Sequence, residues 1–101
     1  MNNICDGAMM NKPTLGRIVH YRGKLGLHAM RAAIVAADVN TLDPRGVELG
    51  EVPALDSEMH VHLVVFTPGT LMSFPEFNVP HGVPGDDGMI PHGSWQWPVI
   101  R

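Results

Sequence analysis

The chain reads as an all-β protein, a small antiparallel barrel of the SH3-like kind or a compact sandwich, with long Gly/Pro-rich loops and an irregular N-terminal arm. Three observations predict this. Runs such as RIVHY at 17–21, MHVHLVVF at 59–66 and SWQW at 94–97 combine β-branched and aromatic residues and stop at Gly or Pro. The connections between them draw heavily on the 11 glycines and 9 prolines. The one segment with helical spacing fits a strand equally well.

Residues 1 to 13 have no periodicity and end at Pro13, so they read as an arm, and residues 14–101 as a single small β domain. Ile4, Met9 and Met10 give the arm apolar groups with which to dock on a neighbouring subunit. RIVHY is the first strand. In 27–40, LHAMRAAIVAADVN, Met30, Ala33, Ile34 and Ala37 lie at helical spacing, while Ala33, Val35, Ala37 and Val39 share a strand face. The segment 41–57 is polar, with two prolines, two glycines and scattered acids, and is expected to be a connection in which VEL adds a short edge. MHVHLVVF is the clearest strand, closed by TPG at residue 69, and LMSF at 71–74 is a candidate for another. Residues 75–93 are so rich in Pro and Gly that they predict a long irregular loop, which at that length is functional or docked against something. SWQW forms the last strand, stopped by Pro98.

Composition excludes several functions. At 101 residues there is room for one core. The formal charge is −3 and the 7 Lys and Arg are scattered, so no basic face is available for a phosphate backbone and nucleic acid is not an expected partner. No run approaches the ~18 apolar residues of a membrane span, and the first ten residues lack the pattern of a signal peptide. The lone Cys5 excludes an internal disulfide and suits a reducing compartment. Charged residues are 17% of the chain against about 25% for an average domain, which points to partner subunits and a homo-oligomer.

Both tryptophans lie in HGSWQWP, one residue apart, and a strand puts Trp95 and Trp97 on one face. Two readings follow. Both indoles fill the core, or one is a stacking platform for a base-like ligand. The flanking residues favour a divided role, with Trp97, held before Pro98, in the core and Trp95, beside Gly93 and Ser94, as the contact. His60 and His62 are a weak candidate metal pair, for which His20, His28, His81 or His92 would have to supply a third ligand. No glutamate stands downstream where a cupin-like site needs one, so a half-solvated strand face is expected, with no metal and no cofactor. Asp86 and Asp87 in PGDDG are turn residues. No phosphate loop, nucleophile elbow or carboxylate pair appears, and the chain is not expected to be an enzyme.

The order GRIVHY, RAAIV, HLVVFTPG, FNVP and HGSWQWP resembles a family of small proteins of tailed phages and some bacteria. Their pattern runs GRIVHY, PAIV, a strand ending in VF and a glycine turn, a VPY stretch and a closing GTWHWPE. The resemblance covers residues 15 to 98. Ala32 replaces a common proline, His81 a common aromatic, Gln96 a common histidine and Val99 a common glutamate. The resemblance implies a strand over Arg31 to Val39 and a phage or prophage setting. Within it, the expected function is an accessory protein of the host cytoplasm that sequesters a small nucleotide-type ligand, a host-defence signal, through Arg17, Tyr21, Arg31, Phe77, Asn78, His81, Trp95 and Trp97. The alternatives are a virion decoration protein bound to capsid or tail subunits, and a hydrolase built on a metal at His60 and His62.

Overall fold

The computed structural model describes residues 12–24, 30–67, 69 and 72–98. Five antiparallel strands make one sheet in the order β4-β3-β2-β1-β5: β1 Ile18–Arg22, β2 Met30–Ala37, β3 Val61–Phe66, β4 Ser73–Val79 and β5 Trp95–Gln96. The all-β expectation is met. Of the arm expected over 1–13, residues 1–11, with Cys5, lie outside the described residues, as do His28 and Val99. The last two arm positions are described: Pro13 is buried and Lys12 pairs with Glu58 at 3.1 Å.

The ambiguous middle segment is a strand because alternation wins over helical spacing. Ala33 and Val35 face inward, while Ala32, Ile34 and Ala36 face out. Their inward neighbours Val19 and Tyr21 on β1 and Val61, Leu63 and Val65 on β3 are all buried, and with Val79 and Trp95 they form the core. A helix over the same residues would bury a different set and leave β1 and β3 without the strand that joins them.

Two sequence expectations are corrected. VEL does not add an edge: Pro44–Glu48 is a one-turn helix, α1, with Val47 and Glu48 inside it and Leu49 as its C-cap. Asp43 caps it by accepting from the Arg45 N–H at 3.1 Å, Pro44 takes the first turn where its missing N–H is harmless, and a Cβ on Gly46 would stand 2.8 Å from Val52. The irregular loop expected from residue 75 begins later, because β4 runs through Pro75 to Val79. Proline is tolerated there because β4 is the end strand of the sheet, so a missing N–H need break no ladder.

The chain beyond β4 turns the sheet back on itself. Trp95 donates its N–H to the Pro80 carbonyl at 3.0 Å, Gly82 donates to the Trp95 carbonyl at 2.8 Å, and His81 bridges Trp95 in parallel. On its other side β5 pairs with β1, Tyr21 opposite Trp95. The segment Pro80–Gly82 and β5 therefore close a seam between the two ends of the sheet, giving a small barrel. The backbones meet so closely that a Cβ on Gly82 would stand 2.7 Å from that of Ile90. Among the described residues no helix is long and apolar enough to cross a membrane.

Candidate functional site: a pocket at one end of the barrel

The closed seam is short. It spans Pro80–Gly82, and toward Ser73 β4 has no strand partner on that side among the described residues. A pocket of about 470 Å³ lies at this end of the barrel, lined by Tyr21, Gly23, Lys24, Arg31, Phe74 and Glu76. Register accounts for the lining. Tyr21 and Arg31 are direct partners on β1 and β2, and Phe74 and Glu76 take alternate positions on β4 opposite Val65 and Leu63. All four lie on the inward face, Tyr21 as part of the core and Phe74 packed against it.

Tyr21 is fully buried, yet its phenol O–H has no hydrogen-bond partner among the described residues. Buried polar atoms in native proteins are nearly always paired, and leaving one unpaired costs about 1–3 kcal/mol. Burial first, then the nearby Glu76 carboxylate through both its charge and its pull on the phenol proton, pushes the phenol up to about 12 against the partial opposition of Arg31. At neutral pH Tyr21 therefore stays protonated, near the Glu76 carboxylate but without a hydrogen bond of acceptable geometry to it. Glu76 is held by Lys24 at 3.2 Å, and Arg31 has no ion-pair partner among the described residues. The lining thus carries two cations and one carboxylate around an aromatic wall.

The eight binding residues expected from the sequence divide among three places. Tyr21 and Arg31 line the pocket. Arg17, His81, Trp95 and Trp97 form a separate stack: the Trp95 ring meets His81 edge-on at 4.6 Å and Trp97 at 5.1 Å, and the Arg17 guanidinium sits 4.7 Å from the Trp97 ring centre. Within it the expected division between the tryptophans is reversed. Trp95 is completely buried, whereas Trp97 is half-buried at the periphery of the core. The small neighbours Gly93 and Ser94 let the backbone approach β1 closely, with Gly93 donating to the Arg22 carbonyl at 2.7 Å, and so sink Trp95 rather than uncover it.

Phe77 and Asn78 occupy the third place. Asn78 adopts φ 52, a left-handed conformation that asparagine tolerates, and its side chain is spent on Asp56, accepting from the backbone N–H at 3.0 Å and donating to the carboxylate at 2.9 Å. Phe77 meets His62 edge-on at 5.3 Å. His62 itself is buried, not on a half-solvated face as expected, because the chain at Pro53 and the Phe77 ring pack against it. Its Nε2 must donate to the Pro53 carbonyl at 2.7 Å, and its Nδ1 accepts the Asn78 N–H at 3.0 Å. Both nitrogens are committed, leaving none for a metal, while His60 Nδ1 is bonded to the Ser57 hydroxyl at 2.6 Å. No cluster of three metal-ligating side chains occurs among the described residues.

Sequence reasoning missed Lys24, Phe74 and Glu76. The available signal was the alternation of Phe74, Glu76 and Asn78 against Pro75 and Phe77, which Pro75 obscured by suggesting a loop. Comparison with protein-family models, with curated proteins and with solved structures finds no match to this chain.

Proposed function

We propose that this protein is a non-enzymatic binder of a small anionic, nucleotide-type molecule, held in the pocket between Tyr21 and Glu76. The observation that carries this reading is the buried, unpartnered Tyr21 phenol beside Arg31 and Lys24. The pocket volume falls in the range of about 300–1,000 Å³ usual for small-molecule sites. Arg31 supplies a planar fork suited to phosphate, Phe74 a flat apolar wall for a base, and Glu76 the one acceptor for a ligand N–H. The Lys24–Glu76 pair is exposed on the lysine side, so it is weak in water, and a ligand phosphate competes for Lys24 on equal terms. The Tyr21 O–H, which has no hydrogen-bond partner among the described residues, then donates to a ligand acceptor. A phenol that stays protonated to about 12 serves such a site as a donor, not as a base.

Given the resemblance to phage proteins, the setting proposed is the host cytoplasm and the role is sequestration of a nucleotide-type defence signal. Isothermal titration with linear and cyclic nucleotides tests this. Wild type is expected to bind at least one with saturable heat and Arg31→Ala more than tenfold more weakly; a panel that gives no heat, or equal affinity in Arg31→Ala, rejects the pocket. A second reading, a virion protein bound to capsid or tail subunits, draws support from the exposed apolar side chains of the outer sheet face. Recovery of the chain in purified particles would favour it.

A further inference from the structure

The outer face of the sheet carries a row of opposed apolar side chains across four strands: Ile18 opposite Ile34, Ile34 opposite Val64, Val64 opposite Pro75. Ile18 is 58% exposed, Ile34 36%, and Phe66, on the next row, 43%. No Asp, Glu or Lys occupies an outward position on β1, β2, β3 or β4. The single outward cation, Arg22, is tied to the Ile90 carbonyl at 2.6 Å. The row through Ile18, Ile34, Val64 and Pro75 itself holds no charged side chain, and contiguous exposed apolar patches mark contact surfaces.

We infer that this face binds the same face of a second copy of the chain. Three features select that occupant. A face that carries no carboxylate, and whose one cation, Arg22, lies at the end of β1 and is hydrogen-bonded within the chain, brings no row of like charges against its own two-fold image, whereas a charged partner would bury ions with nothing to pair them. Side-chain size suits self-packing too: the small Ala32 and Ala36 flank the larger Ile34 on β2, leaving room beside it for a partner's Ile34, and two such sheets stack face to face at the usual ~10 Å spacing. Edge-to-edge association, the competing route to a dimer, is blocked on β4 by Pro75, by the inward charge of Glu76 and by the register shift against β3. This surface lies on the opposite side of the sheet from the pocket-lining residues, and the inference stands whether or not the pocket binds a nucleotide.

Sedimentation velocity on the full chain across a concentration series tests the inference. Wild type is expected to sediment as a dimer at micromolar concentration, with Ile34→Lys and Ile18→Lys each weakening association more than tenfold while circular dichroism retains the wild-type spectrum. Ile34→Val, which keeps the ridge apolar, is expected to dimerise. A wild-type monomer throughout the series overturns the inference, as does a dimer indifferent to both lysine variants. A wild-type monomer that dimerises once residues 1–11 are removed also overturns it, and assigns the face to the chain's own N-terminal segment.

Discussion

The indole N–H of Trp95 donates to the backbone carbonyl of Met59 over 2.9 Å, so the largest buried side chain also ties β5 to the entry of β3. Truncating it removes a filled volume and takes the indole donor from a part-buried carbonyl at once. Trp95→Ala is expected to cost at least the ~3–5 kcal/mol typical of an aromatic core truncation, a large part of a small domain's stability. Trp97→Ala, which loses the edge contact with Trp95 and the Arg17 contact, is expected to cost about 1–2 kcal/mol. Urea unfolding of the two variants side by side measures the difference, and equal losses would contradict the burial pattern.

Tyr21→Phe separates binding from stability. The substitution deletes a buried hydroxyl that has no partner, so the free protein is expected to gain up to about 1 kcal/mol, read as a higher Tm. Nucleotide affinity should fall in the same variant. A lower Tm would mean that the phenol is already satisfied in the unliganded protein.

The chain contains one tyrosine, so its ultraviolet titration reports Tyr21 alone. The folded protein should form phenolate with a midpoint near 12 instead of the ordinary 10. Because the folded state holds the proton more tightly, the contribution to stability is complete below about pH 10. It is lost as pH rises from 10 through 12, where the unfolded chain gives up its proton first. Stability that rose over this window would have the wrong sign.

His62→Ala should destabilise by about 2–4 kcal/mol, since it strands both the Pro53 carbonyl and the Asn78 N–H. His62→Gln, able to satisfy one of the two, should recover part of the loss. Thermal unfolding of the pair tests this, and a neutral His62→Ala would show that water replaces both bonds.

Gly82→Ala presses a methyl group against Ile90 and the Ser94 side chain at the seam. The expected cost is about 1–3 kcal/mol, the range for overpacking a close contact. Hydrogen exchange should locate the loosening at the Gly82 and Trp95 amides, which form the seam's cross-links.

The legible parts of the fold were those where residue type and alternation agree. MHVHLVVF and RIVHY became strands within a residue or two of their expected limits because their buried sets, Val61, Leu63 and Val65 and then Val19 and Tyr21, repeat every second position. The pocket was half legible: Tyr21 and Arg31 were singled out, but Glu76 and Lys24 were not, because their meeting depends on a seam that joins distant segments. The two tryptophans were misassigned for a related reason. Gly93 and Ser94 read locally as open space, whereas in the fold they are the close approach that lets Trp95 reach the core.

The seam has a kinetic consequence. Strands β1 to β4 pair in sequence order, each with its neighbour, so every one of these pairings closes a shorter stretch of chain than the seam does. The pairing of Tyr21 with Trp95 joins positions far apart along the chain and carries a larger entropic cost before any contact offsets it. The expectation is that seam contacts form after the rate-limiting barrier, in which case damage to them accelerates unfolding while leaving the refolding rate nearly unchanged. In stopped-flow chevrons Gly82→Ala should steepen the loss on the unfolding limb alone, whereas Val35→Ala, in the central strand, should slow refolding. The latch that shapes the pocket would then also set the lifetime of the native state.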